Sequence, residues 1–113
     1  MKYRYLVTQP DLNAHGTLHG GILMKWVDEA CGMEARLETQ HVCATRHIKG
    51  INFTATARCG DIIEITVRPD MKGTTSITYS ATVKNASSRE MIASFDRVTF
   101  VAVDASNNAV KIN

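Results

Sequence analysis

The sequence predicts an α+β fold: a mostly antiparallel sheet of roughly five to six strands with one long helix laid across one face. Three observations carry this. Between Gly21 and Leu37, the residues Ile22, Leu23, Trp26, Ala30, Met33 and Leu37 recur at three- and four-residue steps, the spacing of a helix with one apolar face. Most of the remaining chain alternates apolar with polar residues, the period of a half-buried strand. The chain has 113 residues, enough for one core and one domain spanning 1–113.

The elements follow in order. "YRYLVT", residues 3–8, alternates as a short strand and is broken by Pro10. A loop rich in Gly and His leads into the helix. "HVCATRHIKGINF" reads as the next strand, and Gly60-Asp61 marks a turn into "IIEITVRPDM", where Ile63, Ile65 and Val67 alternate with Glu64, Thr66 and Arg68. "KGTTS", residues 72–76, turns the chain into "ITYSATVKN" as a hairpin. "NASSRE" turns it again into "MIASFDRVTFVAVD", and a polar tail runs from Asp104 to Asn113. The expected order is strand, helix, then a meander of about four strands.

Composition removes several function classes. The 13 basic and 11 acidic residues are interspersed and sum to +2, which argues against a nucleic-acid surface. No apolar run approaches ~18 residues, so no membrane span is expected. "MKYRYLVTQPD" lacks the apolar core of a signal peptide, and the cytoplasm is the expected location. Cys31, Cys43 and Cys59 are odd in number and form no CxxC pair, so neither a disulfide framework nor a zinc ribbon is indicated. A chain this small leans on contacts between subunits.

The chemistry concentrates in "NAHGTLHGGILMKWVDEA", residues 13–30. On a helical wheel Asp28 falls roughly opposite the Ile22, Trp26, Ala30 and Leu37 face, beside Gly21, Met24, Lys25, Gly32 and Ala35. Gly32 inside a helix costs about 1 kcal/mol against Ala and asks for a reason. Gly20 and Gly21 stand where the helix begins, so their N–H groups lack intrahelical partners and point, with the helix dipole, at whatever lies beyond. Such a terminus suits an oxyanion. His15 and His19 have the i, i+4 spacing of helical zinc ligands, but Gly16 and Gly20 oppose a helix there and no third ligand is near in sequence. No metal or other cofactor is expected, and His19 is assigned to organising the loop.

The pattern N-x-x-G-x-x-H-G-G from Asn13 to Gly21, with Asp28 seven positions later, resembles the signature of hotdog-fold acyl-CoA thioesterases. "KGTTS" and the spacing from Phe53 to Gly60-Asp61 are similar to the acyl-CoA hydrolase branch. The resemblance implies a long helix wrapped by an antiparallel sheet, and metal-free hydrolysis of an acyl-CoA to the acid and CoA. It also implies sheets joined edge to edge in a homodimer or a multiple of it, a tetramer or hexamer. Carried over to this chain, Asp28 activates water or attacks the thioester carbon. Asn13 orients water or substrate, and the Gly20 or Gly21 N–H holds the oxyanion. The chain departs from the branch at Thr56, where proline is common, and in its short C-terminal tail.

Geometry adds a step of its own. Gly20 and Asp28 are eight residues apart, ~12 Å along one helix axis, too far to reach one carbonyl together. If both act, the helix N-terminus comes from one subunit and the carboxylate from its partner, with Gly32 and Ala35 easing close approach near the two-fold axis. Lys72, Gly73, Thr74, Thr75 and Ser76 are the candidates for the phosphates of CoA, against the plainer reading of a hairpin turn. The competing function is a non-catalytic acyl-CoA or fatty-acyl binding module on the same fold. A hotdog hydratase would want an Asp-His dyad on the helix, and no His follows Asp28 before His41.

Overall fold

The computed structural model describes residues 1–112. Its elements are β1 (Lys2–Leu6), a 3-10 turn (Gln9–Asp11), α1 (Gly20–Thr39), β2 (Val42–Phe53), β3 (Ile62–Lys72), β4 (Ser76–Asn85) and β5 (Met91–Val103). The five strands form one sheet in the order β1-β3-β4-β5-β2, with every neighbouring pair antiparallel. The expected architecture of one long helix on an antiparallel sheet is therefore present.

Two details of connectivity differ from the expected meander. Only β3, β4 and β5 follow one another as neighbours. The helix crosses the sheet and delivers β2 to the far edge, beside β5, and residues 54–61 then carry the chain back to β3. This return segment is tied to both ends of its path: Thr54 N–H donates to Ile92 O at 2.8 Å, Leu18 N–H to Ala57 O at 2.8 Å, and Val7 N–H to Asp61 O at 2.9 Å. Gly60 takes φ +94 within it, a conformation glycine adopts freely. At the other edge β1 ends at Leu6, two residues early, because Thr8 and Asp11 bond each other and start the 3-10 turn.

The helix begins one residue before, and ends two residues after, the stretch marked by its periodicity. His19 caps the start, its Nδ1 accepting from Gly21 N–H at 2.9 Å. Gln40 ends it in the left-handed region at φ 61, donating its backbone N–H to Arg36 O.

The buried helix face is rotated from the expected one. Leu23, Trp26, Val27, Ala30, Cys31 and Ala35 are buried, whereas Met33 and Leu37 are 43% and 64% exposed. At ~100° per residue the apolar residues spread over more than half the wheel, and the sheet takes the side centred on Val27. Facing them are Ile63, Ile65 and Val67 of β3, Tyr79, Ala81 and Val83 of β4, and Phe95, Val98 and Phe100 of β5. Tyr5 stacks on Trp26 with ring centroids 4.8 Å apart, closing the β1 side of this core. Three cysteines are free, with Cys31 buried, Cys43 half-buried and Cys59 exposed.

The tail is not merely polar. Val110 N–H donates to Ala102 O and Ile112 N–H to Thr74 O, both at 2.9 Å, so the end of the chain straps the β3–β4 turn to β5. Asn113 lies outside the described residues.

Candidate active site

The loop ahead of the helix folds back on itself because its side chains meet its own backbone. Asn13 N–H donates to Thr17 O at 2.8 Å and Gly16 N–H to Asn13 O at 3.1 Å, with Gly16 at φ +79. The Asn13 Oδ1 accepts from His15 N–H at 2.9 Å and from Thr17 N–H at 3.1 Å, and its Nδ2 donates to the Thr17 hydroxyl at 3.0 Å. Asn13 is thus the organising side chain of the turn. His15 is exposed at its tip, apart from any cluster that would use it.

The two glycines at the helix start have different surroundings. A Cβ on Gly21 would stand 2.9 Å from the His19 imidazole, so the cap requires a residue without one. Its N–H is committed to that imidazole. The Gly20 N–H donates to none of the described residues, and a Cβ at Gly20 would meet the Phe53 ring at an ordinary 3.8 Å. Of the two expected oxyanion donors, Gly20 is therefore the free one.

Gly20 opens on a cavity of about 180 Å³ lined by Asn13, Thr17, Leu18, Leu23, Phe53, Ala55, Thr56, Ala57 and Ile92. The return segment 54–61 forms its roof, which explains why a loop remote in sequence shapes the helix N-terminus. Asp28 lies elsewhere. It borders a wider groove of about 570 Å³ along the middle of the helix, with Glu29, Gly32, Met33, Arg36, Val42, Cys43, Thr45 and Phe100. The cavity and the groove have no residue in common. One chain brings Asn13, His19 and Gly20 together and holds Asp28 apart from them.

Asp28 is half-buried at the border of the core rather than opposite it. The Thr45 hydroxyl donates to its Oδ1 at 2.6 Å, and no cation among the described residues forms an ion pair with it. Thr45 has no sequence signal of its own: it is one hydroxyl on a strand, brought to Asp28 only by the packing of β2 beside the helix. One turn on, toward the core, burial and then the Asp28 and Glu34 charges push the Cys31 thiol up to about 12. Glu34 itself accepts a short hydrogen bond from Tyr3, whose phenol is raised chiefly by burial and then by that carboxylate.

Ala35 does not have the surroundings expected of it. Ala35 is fully buried in its own core, and a Cβ on Gly32 would meet Phe100 at 3.5 Å. Gly32 is half-buried on the groove, where an added methyl would be in ordinary contact with the β5 aromatic, so nothing within the chain requires a glycine there.

The Lys72–Ser76 turn lies at the other end of the helix. Gly73 N–H donates to Ser76 O at 2.8 Å, closing the hairpin, while Lys72 Nζ lies 3.7 Å from the Glu38 carboxylate. The tail takes the Thr74 carbonyl. The backbone here serves the hairpin, and what the turn presents outward is Lys72 and the hydroxyls.

The family model for the thioesterase superfamily matches residues 15–92, from the glycine loop to the start of β5. The chain belongs to this superfamily. A Deinococcus radiodurans protein named as an esterase is 35% identical over 89 residues, which cover 79% of this chain and 59% of that protein. The human cytosolic acyl coenzyme A thioester hydrolase is 36% identical over 64 residues, 57% of this chain and 17% of its own length. The chain thus spans less than two thirds of the first of these relatives and under a fifth of the second. Among solved structures, a hexameric thioesterase from Yersinia pestis superposes with a TM-score of 0.90 at 25% identity, covering 98% of this chain and 93% of that one. An acyl-CoA hydrolase from Staphylococcus aureus, solved with butyryl coenzyme A and coenzyme A, shares the fold at a TM-score of 0.84 and 23% identity, over 98% and 67% of the two chains. The helix-on-sheet architecture of this superfamily member is therefore the hotdog fold.

Proposed function

We propose that this superfamily member is an acyl-CoA thioesterase whose active site is shared between two subunits. The observation that carries the reading is the Asp28 carboxylate. It is half-buried, free of any counter-cation among the described residues, held at one oxygen by Thr45 with the other accepting no hydrogen bond from them, and it lines a groove. A binding module has no use for such a group beside a thioester. Further support comes from the Staphylococcus aureus hydrolase, studied as alanine variants of an asparagine, an aspartate and a threonine. Its aspartate lies 15 residues after the asparagine and 17 before the threonine. The same intervals separate Asn13, Asp28 and Thr45.

In this reading β2, an edge strand of 12 residues with one side unpaired, joins its copy in a partner subunit. That brings Asp28 of one chain to the Gly20 cavity of the other, and hexameric relatives favour a multiple of such dimers. The thioester carbonyl rests on the Gly20 N–H, with Asn13 holding the loop that aims it. Water attacks the carbonyl carbon as Asp28 takes its proton, or Asp28 attacks directly and water opens the anhydride. Both routes need the same oxygen near the same carbon. The tetrahedral oxyanion is held at the helix terminus, the carbon–sulfur bond breaks, and the CoA thiolate leaves and is protonated. One such donor contributes about 2.7–4 kcal/mol to acyl transfer, and a thioester has a good leaving group. No metal takes part. Lys72 with the Thr74, Thr75 and Ser76 hydroxyls is the proposed contact for CoA phosphates, and the cytoplasm the proposed location.

The test is thiol release from butyryl-CoA by the purified protein, with light scattering on the same sample. Turnover by a dimer or larger species is expected. A stable protein that binds butyryl-CoA and never releases thiol is a binding module, and the enzymatic reading is then wrong.

A further inference from the structure

We infer that the cavity at Gly20 is the acyl pocket and that its size selects short acyl groups, of roughly four to eight carbons. This rests on the proposed thioesterase reading and sets the substrate class within it.

The two arms of an acyl-CoA differ in kind, and so do the two hollows. The CoA arm is long, polar and anionic and must reach solvent. The groove at Asp28 suits it, since it is wide and carries Arg36 on the exposed side of the helix. Beyond Arg36, in the last turn of the helix, Glu38 pairs with Lys72, so the groove leads toward the turn already proposed for phosphate. The acyl arm is apolar and must leave water. The Gly20 cavity suits that, being walled by Leu18, Leu23, Ala57 and Ile92, all nearly or fully buried.

With the carbonyl on the Gly20 N–H the two arms diverge, one into each hollow. The cavity holds about 180 Å³. A Leu/Ile/Phe-lined cavity of about 150 Å³ takes a benzene-sized guest of six carbons. Space therefore runs out near eight carbons, because the walls include the buried side chains of Leu23 and Ile92, which have little room to move. Each methylene that enters adds up to about fourfold in transition-state binding until the pocket is full.

The experiment compares kcat/KM for acetyl- through palmitoyl-CoA in the wild type and two variants. Ala55→Phe places a ring in the cavity from a half-buried position on its roof, and Met33→Phe places one in the groove. The wild type should peak between butyryl and octanoyl and lose at least tenfold by palmitoyl. Ala55→Phe should lower hexanoyl far more than acetyl and move the peak to shorter chains, while Met33→Phe should scale every chain length by one factor. A wild-type profile still rising at palmitoyl, a uniform loss in Ala55→Phe, or a peak that moves with Met33→Phe would each overturn the assignment. The wild-type profile decides by itself if a variant fails to fold. No turnover of any chain length would instead overturn the thioesterase reading beneath it.

Discussion

The cavity at the helix N-terminus and the groove at its middle are built in opposite ways. Around the cavity nearly every polar group is committed: Asn13 makes three side-chain hydrogen bonds of 3.1 Å or less, His19 holds Gly21, and the return segment is bonded to Leu18 and Ile92. Around the groove the one carboxylate that matters has a single hydroxyl partner, and the adjoining strand is an unpaired edge. A rigid, preorganised surface suits an oxyanion, whose donors must already be in place when charge develops. A carboxylate with one oxygen free suits a group that must exchange a proton or form a bond. The difference teaches that one protomer holds two unlike hollows, and in the proposed shared site each is fit for one half of the reaction.

The largest effect expected from this contrast falls on the groove. Asp28→Asn keeps the shape of the side chain and its bond to Thr45, so fold and substrate binding should persist while kcat falls at least ~10²-fold. Unchanged turnover would break the assignment of roles. The division into half-sites can then be tested with inactive chains. Asn13→Ala and Asp28→Ala, mixed after reversible dissociation, should regain activity, because a mixed dimer has one site with both groups intact. Random pairing makes about half the dimers mixed, each with one good site of two, so recovery should approach about a quarter of wild type. If exchange is verified with differently tagged chains and no activity returns, both groups serve the same site in one chain.

A smaller effect separates Thr45 from Asp28. Thr45→Val removes the hydroxyl and keeps the β-branched shape on an exposed strand position, and kcat should fall about tenfold with little change in KM. Thr45→Ser should restore most of it. Failure of serine to rescue would mean that the methyl rather than the hydroxyl matters.

These residues also show what the sequence could carry. The helix, the strand segments and the hairpin turn at 72–76 were legible because each rests on local periodicity or turn chemistry. Asp28, Asn13 and Gly20 stood out because polar and glycine residues in that order serve no packing purpose. The rotated helix face was not legible: Ile22, Met33 and Leu37 make as good an apolar stripe as Val27, Cys31 and Ala35, and only the sheet chooses between them. Thr45 was not legible, since its role exists only once β2 is placed at the far edge. Gly32 drew notice for its helix penalty, but its neighbour Phe100 lies on the last strand.

The groove side also predicts an alkaline limit. Cys31 has its pKa raised from an ordinary 9.0 to about 12, first by burial and then by Asp28 and Glu34. A raised acid favours the folded state fully below the unfolded value, and that contribution is lost as pH rises from about 9 toward 12. Urea midpoints should therefore decline over this range, with Tyr3 and Tyr79, also raised by burial, acting in the same direction. In native protein Cys59 should react with a disulfide reagent at once and Cys31 only on unfolding. Fast labelling of Cys31 at neutral pH would remove this contribution.

The smallest effect concerns Gly21 and Gly32, two of the three helical glycines, where the same substitution should act with opposite sign. Alanine gains up to about 1 kcal/mol over glycine in a helix interior. At Gly32 the added methyl meets Phe100 at 3.5 Å, ordinary contact, so Gly32→Ala should keep most of that gain and raise the melting temperature by a few degrees. At Gly21 the methyl would stand 2.9 Å from the His19 ring, and the imidazole must move. Loss of a cap costs about 1 kcal/mol, and the propensity gain is weaker in the first turn, so Gly21→Ala should lower the melting temperature slightly. Because this cap fixes the first turn, which carries the Gly20 N–H, kcat should fall several-fold more than stability alone explains. Equal melting shifts at both positions would mean that His19 swings away freely, and the contrast between a rigid terminus and an open groove would lose its local basis.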